Sequence, residues 1–334
     1  MASNKSFPCA IILFSSIVFL INSSNAMPPF NVQRYGARGY GKTDSTEPFL
    51  TAWSLPCGSE AQAMVYIPHG TYLVRNLVFS GPCKNIITFK IDGKLVAPKT
   101  TGSISFSWCN NVLLSGLTSL NSQNIHVTVH HSSNVRIQNI RIRAPTRSPN
   151  TDGIIVQSSS GVTISRGVIG TGDDCIALNQ GSVNIWIERV HCGPGHGISI
   201  GSLGDHADEE GVKNVTVTNS VFTKTRNGVR IKSWARPSSG FVRNVVFRNL
   251  VMRNVDKWSD ICKHKGTSRT PIAVKLDCSG SHHCTGIRLK NINLTYMKGS
   301  TTSFCKNAHG RASGVVVPMN CSSKFECDEA FGLN

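Results

Sequence analysis

The chain has 334 residues, 35 of them Lys or Arg and 18 Asp or Glu, for a net charge of +17 at pH 7. That length is large for one globular core, and the cationic excess points to a polyanionic partner while saying nothing about the fold. The long apolar run, Ala10 to Ile21, has 12 residues and is too short to span a bilayer.

Residues 1–26 read as a secretory signal peptide. Lys5 supplies the positive start, Ala10 to Ile21 the apolar centre, and Ser24-Asn25-Ala26 the small-residue cleavage site. The mature chain, 27–334, is therefore expected to be secreted, with no membrane partner once the signal is removed. It keeps 34 basic residues against 18 acidic ones. Secretion also removes nucleic acid, the usual partner of a chain this basic.

Asn31 to Cys57 reads as an N-terminal cap. Asp44 and Ser45 can cap a short helix that carries Phe49, Leu50 and Trp53 on one face. An amphipathic helix of this kind closes the open end of a solenoid. From Met64 onward short Val/Ile/Thr-rich strands take over, and no long helical pattern follows. A unit of the form Asn-Val-x-β-branched recurs, with small variations, from Asn111, Asn134, Gly161, Asn184, Asn214, Asn244 and Gly286, mostly 23 to 30 residues apart. Asn at a fixed turn position suits left-handed backbone and ladders of side-chain amides. A leucine-rich repeat would instead show Leu at fixed offsets and a helix in each repeat.

The densest chemistry lies between Asn150 and Lys232. Asn150-Thr151-Asp152-Gly153, Gly172-Asp173-Asp174-Cys175, Gly195-His196-Gly197 and Arg230-Ile231-Lys232 follow one another. Asp152 to Asp174 is 22 residues, and Asp174 to His196 is again 22. A strand follows each turn, and a fixed period with one strand per period marks a solenoid. On a parallel β-helix, equivalent positions stack about 4.8 Å apart. Asp152, Asp174 and His196 then form a column with Asp173 beside it. Ile154/Val156, Ile176/Leu178, Ile198/Ile200 and Val229/Ile231 alternate into the interior. Ala177, Ser199, Arg230 and Lys232 point outward. Carboxylates this close cannot all ionise freely, so one pKa is expected to rise and supply an acid beside a base. Gly197-Ile198-Ser199-Ile200-Gly201 matches the serine-hydrolase elbow but lacks the helix that must follow it, so Ser199 is no nucleophile.

The mature chain keeps 11 of the 12 cysteines. Cys175 and Cys192 fall on neighbouring coils beside the column and should be bridged. Cys57–Cys83, Cys278–Cys284 and Cys305–Cys321 are further plausible pairs. Cys109, Cys262 and Cys327 are left over, so at least one thiol should be free. His282 and His283 beside Cys278 and Cys284 are poorly spaced for zinc, and a disulfide is expected there. Asn214, Asn293 and Asn320 open glycosylation sequons.

The four ordered motifs, with the flank running from Cys192 to Ser202, resemble the signatures of the plant-type polygalacturonases, the pectin-cleaving glycoside hydrolases. The resemblance covers about Val32 to Cys321. It implies an all-β, single-stranded right-handed parallel β-helix. It implies inverting hydrolysis of α-1,4-galacturonosyl links, without a cofactor or metal, by a monomer in the cell wall. Asp173 would be the general acid, Asp152 and Asp174 would activate water, and His196 would tune Asp173. Arg230, Lys232 and Asn150 would bind substrate. The anionic polysaccharide so implied, pectin or polygalacturonate, suits the basic charge. The chain departs from the family pattern in three places. Coils are missing near 99–110. A segment near 256–270 lacks the Gln-x-Tyr whose tyrosine lies in the cleft, and has Asp256 to Cys262 in its place. Ile155 replaces a histidine. Residues 27–334 are thus expected to form one shortened catalytic β-helix. The alternatives are a catalytically impaired pectin-binding β-helix, or a calcium-using enzyme like the pectate lyases.

Overall fold

In the computed structural model, the described residues are 29–98, 103–234, 236–255, 265–268, 272–277, 284–296, 302–317 and 325–327. The signal segment 1–26, the Asp256 to Cys262 stretch, Cys278, Cys321 and Asn320 lie outside them, as do His282 and His283. So do the side chains of Cys284, Asn293 and Cys327.

The chain winds as a parallel β-helix. Seven strands stack into one parallel sheet: β1 (Leu77–Ser80), β2 (Ile104–Ser107), β3 (Val127–His130), β4 (Ile154–Gln157), β5 (Asp174–Leu178), β6 (Gly197–Leu203) and β7 (Val229–Ser233). The register runs Leu77, Ile104, Val127, Ile154, Ile176, Ile198, Val229, one apolar residue per coil. All seven are buried, because alternate residues of each strand face the interior. A second, larger parallel sheet wraps the rest of each coil.

The recurring turn explains the sequence repeat. Asn111, Asn134, Gly161, Asn184, Asn214, Asn244 and Gly286 all have φ between 54° and 69°. This is the left-handed region that Asn and Gly tolerate best. Asn134 Nδ2 donates to Asn111 Oδ1 at 3.2 Å, Asn214 to Asn184 at 2.8 Å, and Asn244 to Asn214 at 3.1 Å. The sequon residue Asn214 therefore has both ends of its amide engaged in the ladder. The repeat did not reveal a second left-handed column, Asn139, Arg166, Arg189, Asn219 and Asn249. Arginine at two of its positions breaks the Asn signal, and there Arg166 Nε donates to Asn139 Oδ1 at 2.8 Å.

Helix α1 (Thr46–Cys57) closes the N-terminal end as expected. Asp44, rather than Ser45, supplies the cap: its Oδ1 accepts the Thr46 amide at 3.0 Å. Trp53 stacks on Phe89 at 5.4 Å, touches Phe79 at 5.2 Å, and donates its indole N–H to Ser80 O. The aromatic layer seals the end of the core against water.

The coils on either side of 99–102 are in direct register. β1 pairs with β2, and Lys94–Val96 pairs with Thr118–Leu120. The 44 residues from Gly228 to Ile272, twice the period of 22, allow Ile272 to Asp277 to rejoin the stack with a looped coil between. That strand pairs with Thr302–Lys306 in a separate two-stranded sheet. Among the described residues the seven-stranded sheet ends at β7.

Two disulfides are formed as expected, Cys57–Cys83 and Cys175–Cys192. Cys305 is also disulfide-bonded. Cys109 is a buried free thiol, and burial pushes its pKa up to about 12.

Candidate active site

The aspartates lie where strands of the seven-stranded sheet begin. Asp152 stands two residues before β4, and Asp174 opens β5. Opposite β6 the register slips by one residue. Ile176 pairs with Ile198, but Asp174 pairs with Gly197. The expected column is corrected by this bulge: His196 falls beside Asp173, not Asp174. The His196 amide donates to Asp173 O at 2.8 Å, and His196 Nδ1 lies 3.0 Å from Asp173 Oδ1. The spacing of 22 hid this, because a bulge adds a residue to one strand without changing the strand count.

Asp173 is held ionised. The His196 hydrogen bond is the largest influence lowering its pKa, which falls below the usual carboxylate value despite burial. Its own Asp174 amide donates to Oδ1 at 2.8 Å, and the Asn150 backbone amide also donates to the carboxylate. Asp152 goes the other way. Burial first, then the charges of Asp173 and Asp174, push it up to about 7. One carboxyl therefore carries the raised pKa, as crowding requires, and it is Asp152.

Asp174 is 1% exposed and lies between two cations. Arg230 Nη2 meets Oδ1 at 2.8 Å and Lys232 Nζ meets Oδ2 at 3.1 Å. Arg230 Nε also donates to Ser199 Oγ at 2.7 Å, which covers Ser199 completely. The outward cations and small residues were legible from strand alternation. The bend of the cations back onto Asp174 was not, since it depends on packing across two coils. Burying a carboxylate this deeply requires such partners. Asn150 is exposed, at φ 55°.

Asp173, Asp174 and His196 each offer a ligand atom within 4.8 Å of the others, a set that could in principle hold a cation. Both oxygens of Asp174 are already taken by Arg230 and Lys232, and a metal would have to displace them.

Two positioning residues escaped the sequence reading. Thr151, fully buried, accepts the Gly172 amide at 3.0 Å and donates to Ser148 O at 2.9 Å, tying the two aspartate turns together. Asn227 donates to His196 O at 3.0 Å and pins the histidine turn. Asn227 directly precedes Gly228-Val229, the place that Asp152 and His196 take before their own strands, so phase alone could have singled it out. Gly172 has no room for a side chain: an added Cβ would meet Ser148 O.

The profile described as Glycosyl hydrolases family 28 matches residues 96–264 and 257–321. A second, Rhamnogalacturonase A/epimerase, pectate lyase-like, matches residues 29–82. A polygalacturonase of Prunus persica is 41% identical over 395 aligned positions, covering 96% of this chain and 100% of that protein. An exopolygalacturonase of Zea mays is 33% identical, covering 90% and 93%. Among solved structures, the endo-xylogalacturonan hydrolase of Aspergillus tubingensis superposes with a TM-score of 0.67 at 21% identity, covering 88% of this chain and 98% of that one. That likeness shows the shared β-helix.

Proposed function

Because the chain belongs to glycosyl hydrolases family 28, we propose that it hydrolyses the α-1,4-galacturonosyl links of pectin and polygalacturonate. The observation that carries this reading is the cluster itself: three aspartates on adjoining turns, one of them raised to about 7, beside an imidazole and two cations. The polygalacturonase relatives support the substrate class.

Inverting hydrolysis needs a proton on the leaving oxygen and a carboxylate to take a proton from water. In the assignment we propose, Asp173 donates its proton to the glycosidic oxygen as the bond to the anomeric carbon breaks. The bonding electrons leave with that oxygen. Water adds to the anomeric carbon from the opposite face and gives its proton to Asp152 or Asp174. Arg230 and Lys232 meet the two oxygens of Asp174, and as partly exposed cations they can share a substrate carboxylate. Asn150, at the rim, offers its amide to the sugar.

In the free site the raised pKa belongs to Asp152, and that of Asp173 is lowered. Moving one proton from Asp152 to Asp173 leaves the charge of the cluster unchanged. It prepares both roles at once. The raised pKa of Asp152 also favours a second assignment, with Asp152 as the acid. An activated aryl leaving group separates the two, because it needs no protonation: whichever aspartate variant recovers turnover on it is the one lacking the acid.

The mature region is further proposed to be one shortened β-helix, a monomer secreted to the cell wall. The alignment with the Prunus persica protein runs over 395 positions against the 334 residues of this chain, which supports the loss of segments. Among the described residues no helix is long and apolar enough to cross a membrane.

The deciding experiment is reducing-end release from polygalacturonate by the purified protein, with Asp173→Asn as control and a chelator present. Turnover is expected that ignores chelator and is lost in Asp173→Asn. Turnover that stops with chelator and yields an unsaturated, ultraviolet-absorbing product would establish a lyase. Binding without turnover would establish the binding protein.

A further inference from the structure

A second groove runs along the opposite edge of the catalytic sheet. The aspartates precede the strands, whereas Trp108, His131 and Ser158 follow the ends of β2, β3 and β4. A strand length of four residues, roughly 13 Å, separates the two edges. The groove has a volume of about 560 Å³ and crosses successive coils parallel to the solenoid axis. Its register is continuous: Ser133 pairs with Ser160, Ser160 with Val183, Val183 with Lys213, and Lys213 with Arg243.

We propose that this groove binds a second segment of acidic polysaccharide, which rests on the substrate class proposed above. Three observations carry it. First, Trp108 is 58% exposed, and one of its faces is stacked on His131 at 4.2 Å and 9°. A ring braced on one face presents the other as a flat platform for the C–H face of a sugar. Second, the far end is cationic. Lys213 lines the groove, and Arg243 follows it in register and stacks on Phe241 at 5.1 Å. The backbones of the two residues lie one coil apart, about 4.8 Å along the axis. An acidic chain lying along the groove therefore meets two neighbouring cations at this end. Third, the floor is rigid. Ser132 and Ser159 are buried, and their hydroxyls are spent on neighbouring backbone: Ser159 Oγ donates to Gln157 O at 2.7 Å and accepts the Ser132 amide at 3.0 Å. Ser158 and Ser160 stay accessible to sugar hydroxyls. Glu210, the acid in the lining, lies against Gly181 in mid-groove, where it can accept a sugar O–H.

A site of this kind would keep the enzyme on a polymer between cleavages, through effective concentration rather than a tighter cleft. The test is titration calorimetry of the full chain carrying Asp173→Asn, which removes turnover, with oligogalacturonate long enough to occupy one groove. Two sites per protein are expected. Adding Trp108→Asn, an exposed position where the φ of 59° suits Asn, should leave one site. Adding Lys213→Gln instead should weaken that same site ten-fold or more. A single site in the parent overturns the inference, as do two sites that survive both substitutions. Trp108-dependent binding of neutral galactan or arabinan in place of oligogalacturonate overturns it as well. The unsubstituted protein is assayed alongside for reducing-end release. Hydrolysis with only one binding site refutes the groove alone, whereas absence of hydrolysis refutes the catalytic reading.

Discussion

Asp152 and Asp173 are chemically identical side chains held in opposite states by what surrounds them. Asp173 receives donors from His196 and two backbone amides. Asp152 receives burial and two like charges. The sign for stability follows. Asp152 binds its proton more tightly folded than unfolded, so between pH 4 and 7 the native state holds more protons, and stability falls as pH rises through that window. Asp152→Asn should therefore raise the melting temperature at pH 8, by a gain of about 2 kcal/mol after allowing for partial exposure. The gain should vanish near pH 4, and turnover should fall by about 10²-fold or more. Thermal melts at both pH values and one rate measurement check this. Asp174 gives a second contrast. Arg230→Met should cost about 3 kcal/mol by leaving a buried carboxylate short of a partner. Lys232→Met should cost less, because its side chain is 30% exposed against 18% for Arg230. Denaturant unfolding orders the two, and the reverse order would refute this account of the clamp.

The recurring turn is the element that fixes the coil. Asn214 meets two demands, a φ of 58° and an amide engaged on both sides. Two substitutions separate these demands. Asn214→Gly keeps the backbone and loses the ladder, for about 1 kcal/mol. Asn214→Ala loses both, and should cost about 1–2 kcal/mol more, the cost of a side chain in the left-handed region. Equal losses in the two variants would show that the ladder alone matters. The regular strands and turns were plain in the sequence because each coil repeats the same local problem. The bulge opposite Asp174 was invisible, because it arises only when β5 and β6 pair.

Over the whole molecule, charge sets the encounter. With 35 basic residues against 18 acidic ones, the surface attracts a polyanion over distances that salt shortens. Between about 0.01 M and 0.15 M salt the screening length falls from about 30 Å to 8 Å. The KM for polygalacturonate should accordingly rise several-fold across that range while kcat changes little. A KM indifferent to salt would mean that the cations act only within the cleft. The amino-acid sequence by itself determined the solenoid, its capping helix, the disulfide Cys175–Cys192 and the identity of the clustered residues. Each of these depends on periodicity or on residue type at a fixed phase, which a linear chain records. The tertiary structure alone decided that His196 pairs with Asp173, that Arg230 and Lys232 turn back onto Asp174, and that Asp152 is the carboxyl whose pKa is raised. Those facts depend on distances between coils and on burial, which exist only once the chain has stacked on itself.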